Sequence, residues 1–134
     1  QIPGSIPLIS NSRPMFSFRP DRWVYEGYTV TFVLLQLALF RGYDEVGLIG
    51  VDHRYEFDGK PNQKMVSQGD DPNHFSSEYF GKGTEWHNPD LKKSEHSYGL
   101  AKAAYKFMGG RIVNLTPGSA LDVFDKEDWK SWYR

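Results

Sequence analysis

The sequence predicts an α/β layered fold built around a short parallel sheet, and three observations lead there. EVGLIGVD (45–52) and RIVNL (111–115) are short apolar runs with β-branched residues, as expected of buried parallel strands. Between them, Leu91, Ser94, Tyr98, Ala101, Tyr105 and Met108 recur at alternating spacings of three and four, which marks one face of a helix. A strand–helix–strand order favours a parallel pair with a right-handed connection. The 134 residues suit one domain, and a chain of that size buries about two-thirds of its unfolded surface. In the broad sense the expected fold is Rossmann-like.

The elements follow in order. Residues 1–27 are an irregular lead-in punctuated by Pro and Gly, with MFSF (15–18) as a short strand and Arg19–Asp21 as a turn. Helical spacing runs from Thr29 to Arg41. Val30, Val33, Leu34, Leu37 and Ala38 form one apolar face, and Phe32, Leu35 and Leu39 make the other face apolar too. This helix is therefore expected to be buried on most sides. Gly42 suits the position past its end. After the strand 45–51, residues 53–89 show no regular period. Asn88 and Pro89 read as the cap and first position of the next helix, which Gly109 and Gly110 terminate. Beyond the second strand, Ser119 with Asp122 and Asp125 with Asp128 resemble capping boxes, so two short helices are expected to close the chain.

Composition excludes several classes. With no Cys there are neither disulfides nor thiolate metal sites. The net charge of −1, with both signs dispersed, gives no basic stripe for nucleic acid. VTFVLLQLALF (30–40) is too short to span a bilayer, and no signal peptide is visible, so a cytoplasmic location is expected. Aromatic residues make up 16% of the chain, many of them outside the periodic segments, where they line sites for flat or ring-shaped ligands.

In open α/β sheets, ligands bind beyond the carboxyl ends of the strands. That rule singles out Asp52, His53, Arg54 and Tyr55 after the first strand, and Thr116, Pro117, Gly118 and Ser119 after the second. The latter turn is read as leading into a helix N-terminus, which favours an anion, although a plain capped turn reads equally well. A loop as long as 53–89 is commonly a functional wall or lid. It holds DPNHFSSEYFGKGTEWHNPDL (70–90). All four histidines, His53, His74, His87 and His96, fall between 53 and 96. A general base, a metal site with Asp52, Asp70 or Asp71, and simple bonding to loop carbonyls compete as readings. The spacings match no tight metal motif, so no metal site is assigned. His96, beside Glu95 on a helix, reads as structural. No Gly-rich phosphate loop and no nucleophile elbow is present.

TVTFVLLQLALFRGYDEVGLIGVDHRY, DPNHFSSEYFG and RIVNLTPGSALDVF resemble the family called domain of unknown function 115, which is similar to the bacterial sialyltransferases of glycosyltransferase family 42. The resemblance covers about residues 25–125. It implies a Rossmann-like fold, a CMP-linked sugar donor, metal-free transfer and a His acting as base on the acceptor hydroxyl. Thr29 matches a donor-contacting Thr beside the sugar carboxylate, with Val30 where the family has Ser. Tyr55 matches one of two Tyr residues that assist the leaving phosphate, and Arg54 stands at the other. Gly27 stands where the sialyltransferases carry Arg. The base maps to His74 or His87; His74, flanked by Asn73 in the NHF segment, is preferred. The family's Gly-rich loop on its first strand has no counterpart here, so the chain reads as the carboxyl half of a larger domain.

The expected function is thus a glycosyltransferase-like, sialyltransferase-related domain. It takes a nucleotide-sugar donor, a CMP-linked sugar by preference, with a glycan or other hydroxyl acceptor and no cofactor. Two alternatives remain. One is a diphosphokinase-like enzyme of the pterin type using Mg-ATP, and the other is a non-catalytic fragment or binding module. Sheet edges and an apolar helix left uncovered by a half-domain predict a homo-oligomer.

Overall fold

The computed structural model describes residues 5–54, 63–66 and 85–132. The chain divides into two compact units, one made of Gln1–Asp52 with Lys92–Arg134 and the other of His53–Leu91.

The first unit opens with two-residue strands, β1 (Leu8–Ile9) and β2 (Val24–Tyr25), which pair in parallel. The strand expected at 15–18 does not form. Instead Phe16 packs its ring edge-on against Phe32 and Tyr105, and the Ser17 N–H donates to the side-chain oxygen of Gln36. This segment is held by side chains rather than by a ladder.

Helix α1 (Val30–Phe40) is capped by Thr29, whose extended backbone lets its hydroxyl accept from the Thr31 N–H. At the other end Gly42 takes φ +90°, and the Tyr43 N–H reaches back to the Ala38 carbonyl. This glycine-terminated cap turns the chain directly into β3 (Glu45–Leu48). Helix α2 (Leu91–Phe107) begins two residues later than the Asn88–Pro89 signal. It ends in the same way, with Gly109 at φ +82° and the Gly110 N–H bonded to the Tyr105 carbonyl. The chain then enters β6 (Arg111–Asn114).

Strands β3 and β6 pair in parallel with Val46 opposite Ile112, as the two apolar runs predict. β7 (Asp125–Lys126) adds a third parallel strand beside β6. The two turns that feed the pair touch each other. The Arg111 N–H donates to the Asp44 carbonyl at 2.8 Å, and a Cβ at Gly110 would collide with that same oxygen.

The core lies between the helices and the strands and gathers Phe32, Leu35, Leu48, Tyr98, Tyr105 and Phe124. The buried face of α1 differs from the expected one. Phe32, Leu35 and Gln36 point inward, while Val30 is 71% and Leu34 56% exposed. Gln36 decides the orientation. Fully buried, its side chain accepts from the Ser17 and Tyr25 N–H groups and donates to the Tyr25 and Phe32 carbonyls. A buried amide is tolerated only when it is satisfied in this way. In α2 the expected face is buried from Ser94 to Tyr105, but Met108 lies outside.

One closing helix forms rather than two. α3 (Trp129–Trp132) is initiated by Asp128, whose carboxylate accepts from the Lys130 N–H. Asp125, expected to cap, lies in β7 instead. The helix expected after Ser119 is absent because the Ser119 hydroxyl and the chain beyond it are bonded to other partners, described below.

In the second unit, β4 (Lys64–Val66) and β5 (Glu85–His87) pair antiparallel, with Lys64 opposite His87. The Asn88 N–H extends this ladder to the Gln63 carbonyl. No regular structure was expected in this stretch. Three-residue strands are too short for a period of two to be counted in sequence.

Candidate functional site

Both helices end against the starts of their strands, so both begin at the opposite end of the layer, where β3 and β6 finish. Contacts along the helices agree. Ser94 Oγ donates to the Tyr28 carbonyl at 3.3 Å, the Thr29 and Tyr98 hydroxyls lie 3.3 Å apart, and the Tyr105 hydroxyl donates to the Leu35 carbonyl at 3.0 Å. The contacts advance together, so the helices run side by side in one direction. Their N-terminal N–H groups and the positive ends of their dipoles lie at the carboxyl end of the sheet.

The approach to α1 is left-handed at two successive residues, Gly27 (φ +60°) and Tyr28 (φ +65°). Glycine adopts this conformation freely, whereas tyrosine does so at a cost. Gly27 is buried, and a Cβ there would strike the Phe32 ring. The Arg that the resembled family carries at this position therefore has no room. Tyr28 stacks under Lys93, whose Nζ is 4.9 Å from the ring centroid. Tyr98 is buried and packs tilted on Phe124 with ring centroids 5.5 Å apart, so its hydroxyl is aimed at Thr29 by the core itself.

The strand exits form the rest of this end. Thr116 Oγ1 accepts from the Val51 N–H at 3.0 Å and donates to the Leu48 carbonyl at 3.4 Å. Ser119 Oγ donates to the Val51 carbonyl at 2.6 Å and accepts from the Leu121 N–H, and the Ala120 N–H donates to the Asp52 carbonyl. Asn114, buried at the end of β6, accepts from the Thr116 N–H and donates to the Leu121 carbonyl. These bonds bend the chain back across β3 instead of starting a helix. Contrary to the expectation, Thr116–Ser119 therefore does not lead into a helix N-terminus that could receive an anion. The Thr116 and Ser119 hydroxyls are buried and engaged with backbone, and Gly118, at φ +68°, turns an exposed corner between them. Lys126 clamps the outside of the turn by donating to the Ser119 carbonyl and to Asp122, whose carboxyl its ammonium holds below the usual range.

The first unit thus brings Thr29, Asp52, Thr116, Gly118 and Ser119 to one end of the sheet, with the Asp52 side chain exposed. His53 (φ +54°, half-buried) and the exposed Arg54 open the second unit, and His87 closes β5 there. Tyr55, Asn73 and His74 lie outside the described residues. Sequence reasoning missed Tyr28 and Lys93, and it took Ser94 and Tyr98 only as part of a core stripe. The available signal was the run of hydroxyls at Ser94, Tyr98 and Tyr105 on an otherwise apolar face. Among the described residues, no three His, Asp or Glu side chains gather as a metal-binding group. Among the same residues, no helix is long and apolar enough to cross a membrane.

Comparisons with family models, with curated proteins and with solved structures find no match to this chain.

Proposed function

We propose that this chain is a glycosyltransferase-like domain, sialyltransferase-related and Rossmann-like, that holds a nucleotide-activated sugar at the carboxyl end of β3 and β6. The observation that carries the reading is the meeting of two helix N-termini at that end, with Thr29 capping α1 and hydroxyl-paired to Tyr98. Helix N-termini favour anionic groups, and a CMP-linked acidic sugar offers both a phosphate and a carboxylate. In this reading Thr29 meets the sugar carboxylate. Thr116 and Ser119 act as positioning residues that hold the Val51–Asp52 exit in place, and Gly118 leaves the corner open. Arg54 neutralises the leaving phosphate, for which a guanidinium is well suited, and Tyr55 assists its departure. His74, or else His87, takes the proton of the acceptor hydroxyl as its oxygen bonds to the anomeric carbon and CMP departs. Such a base contributes roughly 10²–10⁴-fold.

Titration of the chain with CMP, followed by amide chemical shifts, tests this. The expected shifts fall at Gly27–Val30, Val51–Asp52 and Thr116–Ala120. Thr29→Val should weaken binding of a CMP-linked acidic sugar about tenfold, the worth of one hydrogen bond to a charged group, and leave binding of CMP itself nearly unchanged, while loss of the α1 cap costs about 1 kcal/mol of stability. Shifts confined to Gly42–Glu45 and Gly109–Arg111, at the other end of the strands, would overturn the reading. So would the absence of binding at millimolar CMP.

A further inference from the structure

We infer that the outer face of α1 is an interface for a second copy of this chain, the two α1 helices pairing antiparallel about a two-fold axis between Leu34 and Leu37. Val30, Leu34, Leu37 and Phe40 lie in one stripe along the outside of the helix, and they are 71%, 56%, 36% and 46% exposed. At the Phe40 end the stripe runs into an open pocket of about 410 Å³, lined by Phe18, Phe40, Phe107 and Met108 among others. Phe107 is the most exposed of these, at 82%. Scaling ordinary side-chain areas by these exposures, with Phe18 at 48% and Met108 at 55%, gives roughly 650 Å² of apolar surface, at the upper end of the ~300–600 Å² usual for the largest patch on a monomer. Two such faces would bury at most about 1,300 Å², within the range of stable specific interfaces.

The occupant follows from the layout of the face. α1 contains no charged residue, so the stripe offers nothing for a charged partner to read. Its pocket lies at one end and its most exposed aliphatic side chain, Val30, at the other, about 15 Å apart along the axis. An antiparallel copy brings the second Val30 to the first pocket and the first Val30 to the second pocket, and it sets Leu34 against Leu37 twice. A two-fold interface requires this self-complementarity. The axis lies between Leu34 and Leu37, away from the strand exits at Asp52 and Thr116, but Val30 at the edge of the interface follows the Thr29 cap, so the Leu34 variants, not Val30, separate this inference from the proposed transferase site.

Sedimentation velocity across the micromolar range should show a dimer. Leu34→Asp should weaken it at least about thirtyfold, as loss of a central interface residue does, whereas Ala103→Asp, at an exposed position on α2, should leave it intact. The chain has no Cys, so Leu34→Cys introduces a single thiol, and a short bismaleimide should link two copies through it but not through Ala103→Cys. If Leu34→Asp does not fold, Val30→Asp in the first helical turn and the cross-link decide the matter. A wild-type monomer without cross-linking at Leu34→Cys would overturn the inference, as it would if another protein or ligand covered the face. A dimer that survives both Asp substitutions would overturn it too.

Discussion

Helices α1 and α2 lie side by side and share one core, yet as far as Lys106 they expose opposite kinds of surface. The outside of α2 carries Lys92, Glu95, Lys102 and Lys106, and Lys102 reaches across to the Val123 carbonyl. The outside of α1 carries Val30, Leu34, Leu37 and Phe40. The inner faces are more alike, each combining aromatic rings with a few buried polar groups. Gln36 serves four backbone groups and Tyr105 one carbonyl. Up to Lys106, α2 is finished by this chain's own fold, whereas α1, together with Phe107 at the end of α2, has apolar surface beyond what that fold uses.

The largest effect is expected inside α1. Phe32, fully buried against Phe16 and beneath Gly27, should cost about 3–5 kcal/mol as Phe32→Ala. Urea denaturation should show this as a fall in midpoint at constant slope. A cost below about 1 kcal/mol would mean that the inner face has been misassigned.

Gln36→Leu comes next. The change keeps the volume but strands the Ser17 and Tyr25 N–H groups and the Tyr25 carbonyl. A loss of roughly 2–4 kcal/mol is expected from those unsatisfied groups. Hydrogen exchange at Ser17 and Tyr25 should accelerate before that of β6. Equal acceleration throughout would show that Gln36 does not tie the lead-in to the helix.

Between the helices, burial pushes the Tyr105 phenol up to about 12. The unfolded phenol ionises near 10, so its protonated form is favoured by folding. This contribution is complete below about pH 10 and is lost as the pH rises toward 12, at about 1.4 kcal/mol per pH unit. Thermal melts from pH 9 to 12 should show this decline, and Tyr105→Phe should flatten it.

The smallest effects belong to the outer faces. In dilute, monomeric samples, Leu34→Ala on α1 and Lys102→Ala on α2 should each change stability by less than about 0.5 kcal/mol. Only Leu34→Ala should then alter association at higher concentration. If Lys102→Ala altered it as well, the contrast between the helices would lose its meaning.

The legibility of the two helices differed for the same reason. In α2, lysines and Glu95 mark the outside, so the stripe from Ser94 to Tyr105 can be read directly as core. In α1 every face is apolar, so periodicity has nothing to discriminate with, and the stripe through Val30 and Leu34 was as good a reading as the one through Phe32 and Leu35. The candidate site behaved similarly. The strand exits at Asp52 and Thr116 follow from the carboxyl-end rule, but the left-handed Tyr28 and the Thr29–Tyr98 pair join residues about seventy positions apart. No local pattern contains that pairing.

Elements whose signals are local can be read from the chain alone. These include the two apolar strands and their order around α2, the Thr29 start and Gly42 stop of α1, and the glycine turn at 109–110. Caps and turn conformations depend on neighbouring backbone groups, so a few adjacent residues suffice to specify them. Tertiary structure alone decided which face of α1 is inside, because satisfying the buried Gln36 requires Ser17 and Tyr25 from a distant part of the chain. It also decided that no helix follows Ser119. A serine hydroxyl can cap a helix or bond another strand's carbonyl, and here the Val51 carbonyl, brought within 2.6 Å by the parallel pairing of β3 with β6, takes it.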